Sequence, residues 1–253
     1  MPILGMPPGL NGRSLHHPLI ITSRQFPLSN NLIVIRGRVM SSPPELGMQF
    51  SDLRQQKDAY RLGAWVFVAS EIMLFAGIFL VYLIGRMTHP EAFTEGSHEL
   101  NQFLGTVNTG ILLTSSFSVA VAVSKAEDKK YRTASWLLLL TAVMGICFLG
   151  IKAYEWYEEY ERARVPGLNF TYEGEHLPGL LLFFWFYFTS TALHAIHVTI
   201  GVLVNLWFAW VCRYRAHWVP DPSPVVLSGI YWHLVDLVWI FLFPFLYLVG
   251  GAS

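Results

Sequence analysis

The chain has 253 residues, of which 53% are hydrophobic and only 13% charged, and its seventeen basic and seventeen acidic side chains cancel. A soluble domain carries about 25% charged residues, and a nucleic-acid binder needs a basic surplus, so composition argues against both. The two cysteines, Cys147 and Cys212, lie in or beside apolar runs without CxxC spacing and read as buried thiols rather than a disulfide framework.

Residues 1–60 are rich in Pro, Ser, Asn and Arg, and their longest apolar patch, Leu32–Ile35, is far too short to span a bilayer. They are expected to form a mostly irregular cytoplasmic tail. Two readings of its start are open, translation from Met1 or from Met40. No basic patch leads into a short apolar stretch with a small-residue cleavage site, so a signal peptide is not expected.

From residue 61 to 253 the pattern changes. Crossing a bilayer takes roughly 20 apolar residues, and five runs meet that length: Leu62–Ile84, Phe103–Val123, Ala134–Ala153, Gly179–Val211 and Val225–Val249. They are continuously apolar rather than alternating, which selects helices over a barrel. The predicted fold is an all-α integral membrane protein, a bundle of five transmembrane helices. The fourth run is longer than a span requires, so it is expected to tilt or to project beyond the lipid. The third continues as a polar helix through Lys152–Arg164, with Tyr154, Trp156, Tyr157 and Tyr160 at the level of an interfacial aromatic belt, and breaks at Val165-Pro166-Gly167.

Basic residues set the orientation. Arg54, Lys57 and Arg61, then Lys125, Lys129, Lys130 and Arg132, then Arg213 and Arg215 fall on one side; the opposite connectors carry Glu91, Glu95 and Glu99 and a run from Glu155 to Glu175. The positive-inside rule puts the N-terminus in the cytoplasm and the C-terminus outside.

An ionisable group in mid-membrane costs about 2.5–3.5 kcal/mol on insertion scales, so each needs a reason. Glu71 lies near the centre of the first span with no basic residue within two turns of its own helix. It is expected to be neutral, serving as a proton-linked carboxyl or as a hydrogen-bonding structural one. His194 and His197 share a face of the fourth span at i, i+3, and His233 and Asp236 do the same in the fifth. At matching depth, the four are expected to form one hydrogen-bonded structural cluster. One close histidine pair and a distant third make a poor ligand set, so no metal site and no catalytic residue is nominated. Trp232 and Trp239, seven apart, read as core or lipid contacts, and the Ser/Thr-rich 108–118 stretch as helix–helix glue.

Several ordered motifs resemble subunit III of haem–copper respiratory oxidases, over residues from about 61 to the end. They are ASEIMLFAGIF around Glu71, LNQFLGTVNTGILLTSSFS, the acidic-aromatic GIKAYEWYEEY, the paired-histidine LHAIHVTIG and the diagnostic YWHLVDLVWIFLF. The chain departs from the family pattern at Thr189-Ser190 and Leu193-His194-Ala195, where many members carry glycines, and its five spans resemble the shorter bacterial form rather than seven-span members. The resemblance implies a non-redox accessory subunit of a proton-pumping cytochrome c oxidase in a bacterial inner membrane. It would pack beside oxidase subunits I and II, bind phospholipid, and sustain proton uptake. Haem and copper would reside in those partners, which would take electrons from cytochrome c. The resemblance extends to quinol oxidases and nitric oxide reductases. It also matches Glu71 to the family's carbodiimide-reactive carboxyl. From other classes, a small proton-coupled transporter would show inverted repeats or broken helices, and a freestanding haem cytochrome would need axial ligands on facing helices.

Overall fold

The computed structural model describes residues 32–35, 38–41, 52–171, 176–216 and 222–248, and the chain divides into two compact units, Met1–Glu45 and Leu46–Ser253. In the first unit, β1 (Leu32–Ile35) and β2 (Arg38–Ser41) pair antiparallel, with Leu32 opposite Ser41 and Ile35 opposite Arg38. The β-branched Ile33, Val34, Ile35 and Val39 suit an extended backbone, so part of the tail expected to be irregular is a hairpin. Residues 1–31 lie outside the described residues.

The second unit is all-helical over its described residues. Its elements are α1 (Leu53–Thr88), α2 (Pro90–Glu99), α3 (Gln102–Glu127), α4 (Tyr131–Glu161), α5 (Leu177–Tyr214) and α6 (Ser223–Phe243), which runs on into a π-helical turn at Pro244–Leu248. Five of these are long and apolar enough to cross a membrane: Arg54–Thr88 within α1, then α3, α4, α5, and Ser223–Leu248. The chain is a multi-pass membrane protein, as its apolar runs predict.

Three boundaries differ from the sequence expectation, each for a local reason. Helix α1 begins at Leu53, eight residues before the expected domain boundary, because the Asp52 carboxylate accepts from the Gln55 N–H at 2.8 Å and caps it. The first connector is not a loop: Pro90 sits in the first turn of α2, whose Ala92, Phe93, Gly96 and Ser97 are buried. Helix α4 stops at Glu161, short of Val165-Pro166-Gly167; Ala163 already takes φ 56°, and Gly167 takes φ 81°. The polar extension of the third span is otherwise as expected.

Helices α3, α4, α5 and α6 form the dense part of the bundle. Trp232 on α6 is 1% exposed and fills a space left by two glycines: a Cβ at Gly145 would meet its Cη2 at 2.7 Å, and one at Gly201 its Cε3 at 2.8 Å. Its indole N–H donates to Ser115 Oγ at 3.0 Å, and that of buried Trp239 to Thr109 Oγ1 at 3.1 Å. The tryptophans are therefore core residues, and the Ser/Thr stretch of α3 supplies their acceptors. Cys212 is buried and Cys147 exposed on α4, both free thiols; the expectation of two buried thiols holds only for Cys212, because Cys147 falls on the outward stripe with Val143 and Gly150.

Helix α1 docks differently. Most of its surface is exposed, and it meets α5 and α6 through one aromatic stripe. Phe67 lies against Tyr231, Phe75 against His197, Phe79 against Phe241 and Phe245, and Tyr82 against Phe186 and Phe245. The spacing of 67, 75, 79 and 82 is the inward face of a helix, and Glu71 is the acid on it.

Candidate functional site: polar groups inside the bundle

Glu71 finds its partner on another helix. Its Oε2 lies 2.9 Å from His197 Nε2, and both side chains are mostly buried, at 16% and 13% exposed. The other ring nitrogen, Nδ1, is 2.7 Å from the Leu193 carbonyl oxygen. A carbonyl can only accept, so Nδ1 carries a proton and donates it. The Glu71–His197 contact then holds one proton, on either the carboxyl or the imidazole. Both arrangements leave the pair with no net charge, which is how a carboxyl remains in mid-membrane at tolerable cost. Phe75 packs edge-on to the ring, and the Tyr231 hydroxyl donates to the His197 carbonyl at 3.1 Å.

The four polar residues expected to share one cluster are in three places. His197 belongs to Glu71. His194 lines the same crevice as Glu71, His197 and Phe75, but both its ring nitrogens are buried without a hydrogen-bond partner. Its ring stacks on Trp239 at 5.2 Å and meets Phe148 edge-on at 5.5 Å. His233 points to the other flank of α6, toward α3, where its Nδ1 is 2.6 Å from Ser116 Oγ. Asp236, 5% exposed, leaves its Oδ1 unpaired. Residues 194 and 233 each occupy the face their i, i+3 spacing predicts; the sequence could not show that those two faces look in different directions. Among the described residues no three His, Cys, Asp or Glu side chains converge as a metal ion would require.

The most extensive polar assembly lies at the end of α4, in the stretch read from sequence as an interfacial belt. Tyr154, Tyr157 and Tyr160 do face outward, but Lys152, Glu155 and Glu159 face inward, each 2% exposed or less. The Lys152 ammonium donates to Glu155 Oε2 at 3.2 Å, to Tyr187 OH at 3.2 Å and to Tyr247 OH at 2.7 Å. Both phenols in turn donate to Glu155 Oε1, Tyr187 at 2.9 Å. The three ammonium donors are all used and the charges cancel within the ring. Three aromatic faces, of Tyr187, Trp239 and Tyr247, surround the ammonium at 4.6–5.3 Å. Further out, Glu159 meets Arg162 at 3.4 Å and Arg164 at 3.5 Å, and Arg164 clamps Glu99 of α2 at 2.6 Å. The signal for this assembly was present: positions 152, 155 and 159 are one helix face, and their spacing distinguishes them from the tyrosines of the opposite face.

A helical bundle of five spans, with Glu71 set against His197 and Lys152 against Glu155 in its interior, is a polytopic membrane protein. The comparisons specify which kind. The family model for cytochrome c oxidase subunit III matches residues 49–251. Cytochrome c oxidase subunit 3 of Thermostichus vulcanus is 35% identical over 192 residues, covering 74% of this chain and 86% of that protein. A haem-copper oxidase subunit I+III of Aeropyrum pernix is 33% identical over 76% of this chain and 23% of its own length. Quinol oxidase subunit 3 of Bacillus spizizenii is 28% identical over 75% of this chain and 86% of its own. The chain belongs to the cytochrome c oxidase subunit III family; it is subunit III of a haem–copper oxidase, an oxidoreductase complex.

Proposed function

We propose that the chain is the accessory subunit of a proton-pumping cytochrome c oxidase in a bacterial inner membrane, with its N-terminus cytoplasmic and C-terminus outside. The observation that carries this reading is the 35% identity to a cytochrome c oxidase subunit 3 over 192 residues, above the 28% to the quinol enzyme. Electron transfer and oxygen reduction would take place on haem and copper in the partner subunits I and II, cytochrome c would dock there, and this chain would hold no redox group. Its own residues support a packing and proton-supporting role, and lipid binding is what the family resemblance implies. Glu71 and His197 share a hydrogen bond in a crevice between α1, α5 and α6, which suits a proton-linked carboxyl as well as a latch for α1. The basic ends of α3 and α5 and the acidic ends of α2 and α4 support the orientation.

The test is a gentle-detergent pull-down of the tagged chain from its native membrane, with an optical spectrum and peptide identification. Co-purifying a-type haem bands and a subunit II with a dinuclear copper motif are the expected result. A subunit II without that motif would move the assignment to the quinol oxidases. A chain that emerges alone and colourless would overturn the accessory-subunit role.

A further inference from the structure

His233 sits near the middle of the span Ser223–Leu248, yet its side chain is on the outside of the bundle. One nitrogen, Nδ1, is engaged by Ser116; Nε2 bonds nothing among the described residues. One turn on along α6, buried Asp236 keeps its Oδ1 unpaired. An imidazole nitrogen open to hydrocarbon costs several kcal/mol unless satisfied, and acyl chains offer no hydrogen-bonding group at that depth. The contrast with Glu71 is direct: that group is satisfied within the chain, and this one is not.

The surface around His233 has the shape of a helix-docking face. Leu113 and Phe117 of α3 and Ile230 and Leu237 of α6 are all exposed beside it, at 43–73%. A Cβ at exposed Gly110 would touch nothing within 4 Å, so a partner backbone can come close there, as membrane helix pairs do over small residues.

We infer that the α3–α6 face centred on His233 is where this chain docks a transmembrane helix of the large oxidase subunit, one that offers His233 Nε2 a hydrogen-bonding side chain or carbonyl at mid-membrane. The inference rests on the accessory-subunit reading above. The fused subunit I+III relative supports this choice of occupant, since in that protein the two subunits are joined in one chain.

A photo-crosslinking residue placed at Leu113 or Leu237 in the tagged full-length chain, irradiated in native membranes, tests the site. Leu203 and Trp207, exposed on α5, serve as controls. Adducts with the large subunit are expected from positions 113 and 237 and not from 203 and 207. Adducts from α5 only, a dimer of this chain, or lipid adducts alone at 113 and 237 while oxidase subunits still co-purify would each overturn the docking face and leave the accessory role standing. Absence of any co-purifying oxidase subunit would overturn both. Independently, His233→Leu is expected to lower retention of the chain in the detergent-washed complex several-fold, with His233→Gln restoring most of it, while the melting temperature of the isolated chain falls no further than in Ser116→Ala, which removes the same internal bond. A larger loss of melting temperature with unchanged retention would assign His233 to internal packing instead.

Discussion

The molecule holds charge inside the membrane in two contrasting ways. At the end of α4, Lys152, Glu155, Tyr187 and Tyr247 form a closed ring that is 2% exposed or less and fully hydrogen-bonded. Across the middle of α5 and α6, the histidines and Asp236 are spread over different faces, and His194, His233 and Asp236 each keep an unused nitrogen or oxygen. A closed ring fixes helix positions and has no valence left for anything else. An open set stabilises the fold less and leaves atoms free for a proton or a neighbouring chain. The difference teaches that the ring serves as scaffold, whereas the open set keeps the atoms through which the proposed docking would act.

The sharpest way to break the contrast is Lys152→Met. It leaves Glu155 as an unpaired buried carboxylate, and losing one partner of a buried pair costs about 3–5 kcal/mol. Thermal unfolding in detergent should show this, and Lys152→Met combined with Glu155→Gln should recover more than half of it. If the double variant is as unstable as the single, the ring owes its stability to packing rather than to charge balance.

Next in size is overpacking. Gly145→Ala puts a methyl group 2.6 Å from Val202 and 2.7 Å from Trp232, and the cost should be about 1–3 kcal/mol. The paired control is Gly150→Ala, where nothing lies within 4 Å; it should be neutral or stabilising, since alanine is favoured over glycine in a helix by about 1 kcal/mol. Equal melting temperatures for the two variants would contradict the Trp232 wedge.

Trp239→Phe keeps the aromatic body against Phe148 and His194 but removes the indole donor to Thr109. A loss of about 1 kcal/mol is expected, and Thr109→Val should add little to it in a double-mutant cycle on melting temperature.

The smallest effect belongs to the Glu71–His197 pair, which lies outside the ring. Glu71→Leu should cost about 0.6 kcal/mol, the average for an interhelical membrane hydrogen bond, with Glu71→Gln smaller still because an amide can still donate to His197 Nε2. Protease accessibility of the α1–α2 region should rise for the leucine variant only. A loss of several kcal/mol from either variant would place Glu71 with the scaffold.

How far these features were legible depends on whether they are properties of one segment or of two. The five spans, the polar extension of α4 and the inward placement of Glu71 follow from hydropathy and from helical periodicity within a single segment. Helix α2 was missed because its apolar face is only Ala92, Phe93 and two small residues, too short to register against an acidic background. The Lys152 ring was missed because the tyrosines that complete it come from α5 and from the π-turn after Pro244, 35 and 95 residues away.

The sequence by itself determined that this is a five-span helical membrane protein, which residues lie at mid-depth, and which family they resemble, because a bilayer demands long apolar helices and tolerates few exceptions within them. Only the tertiary structure decided who partners whom: Glu71 with His197, Ser116 with His233, Lys152 with two distant tyrosines. The angular position of a residue on its own helix is local, but the direction that face takes in the bundle depends on helix rotation and crossing, which all the packed side chains set together.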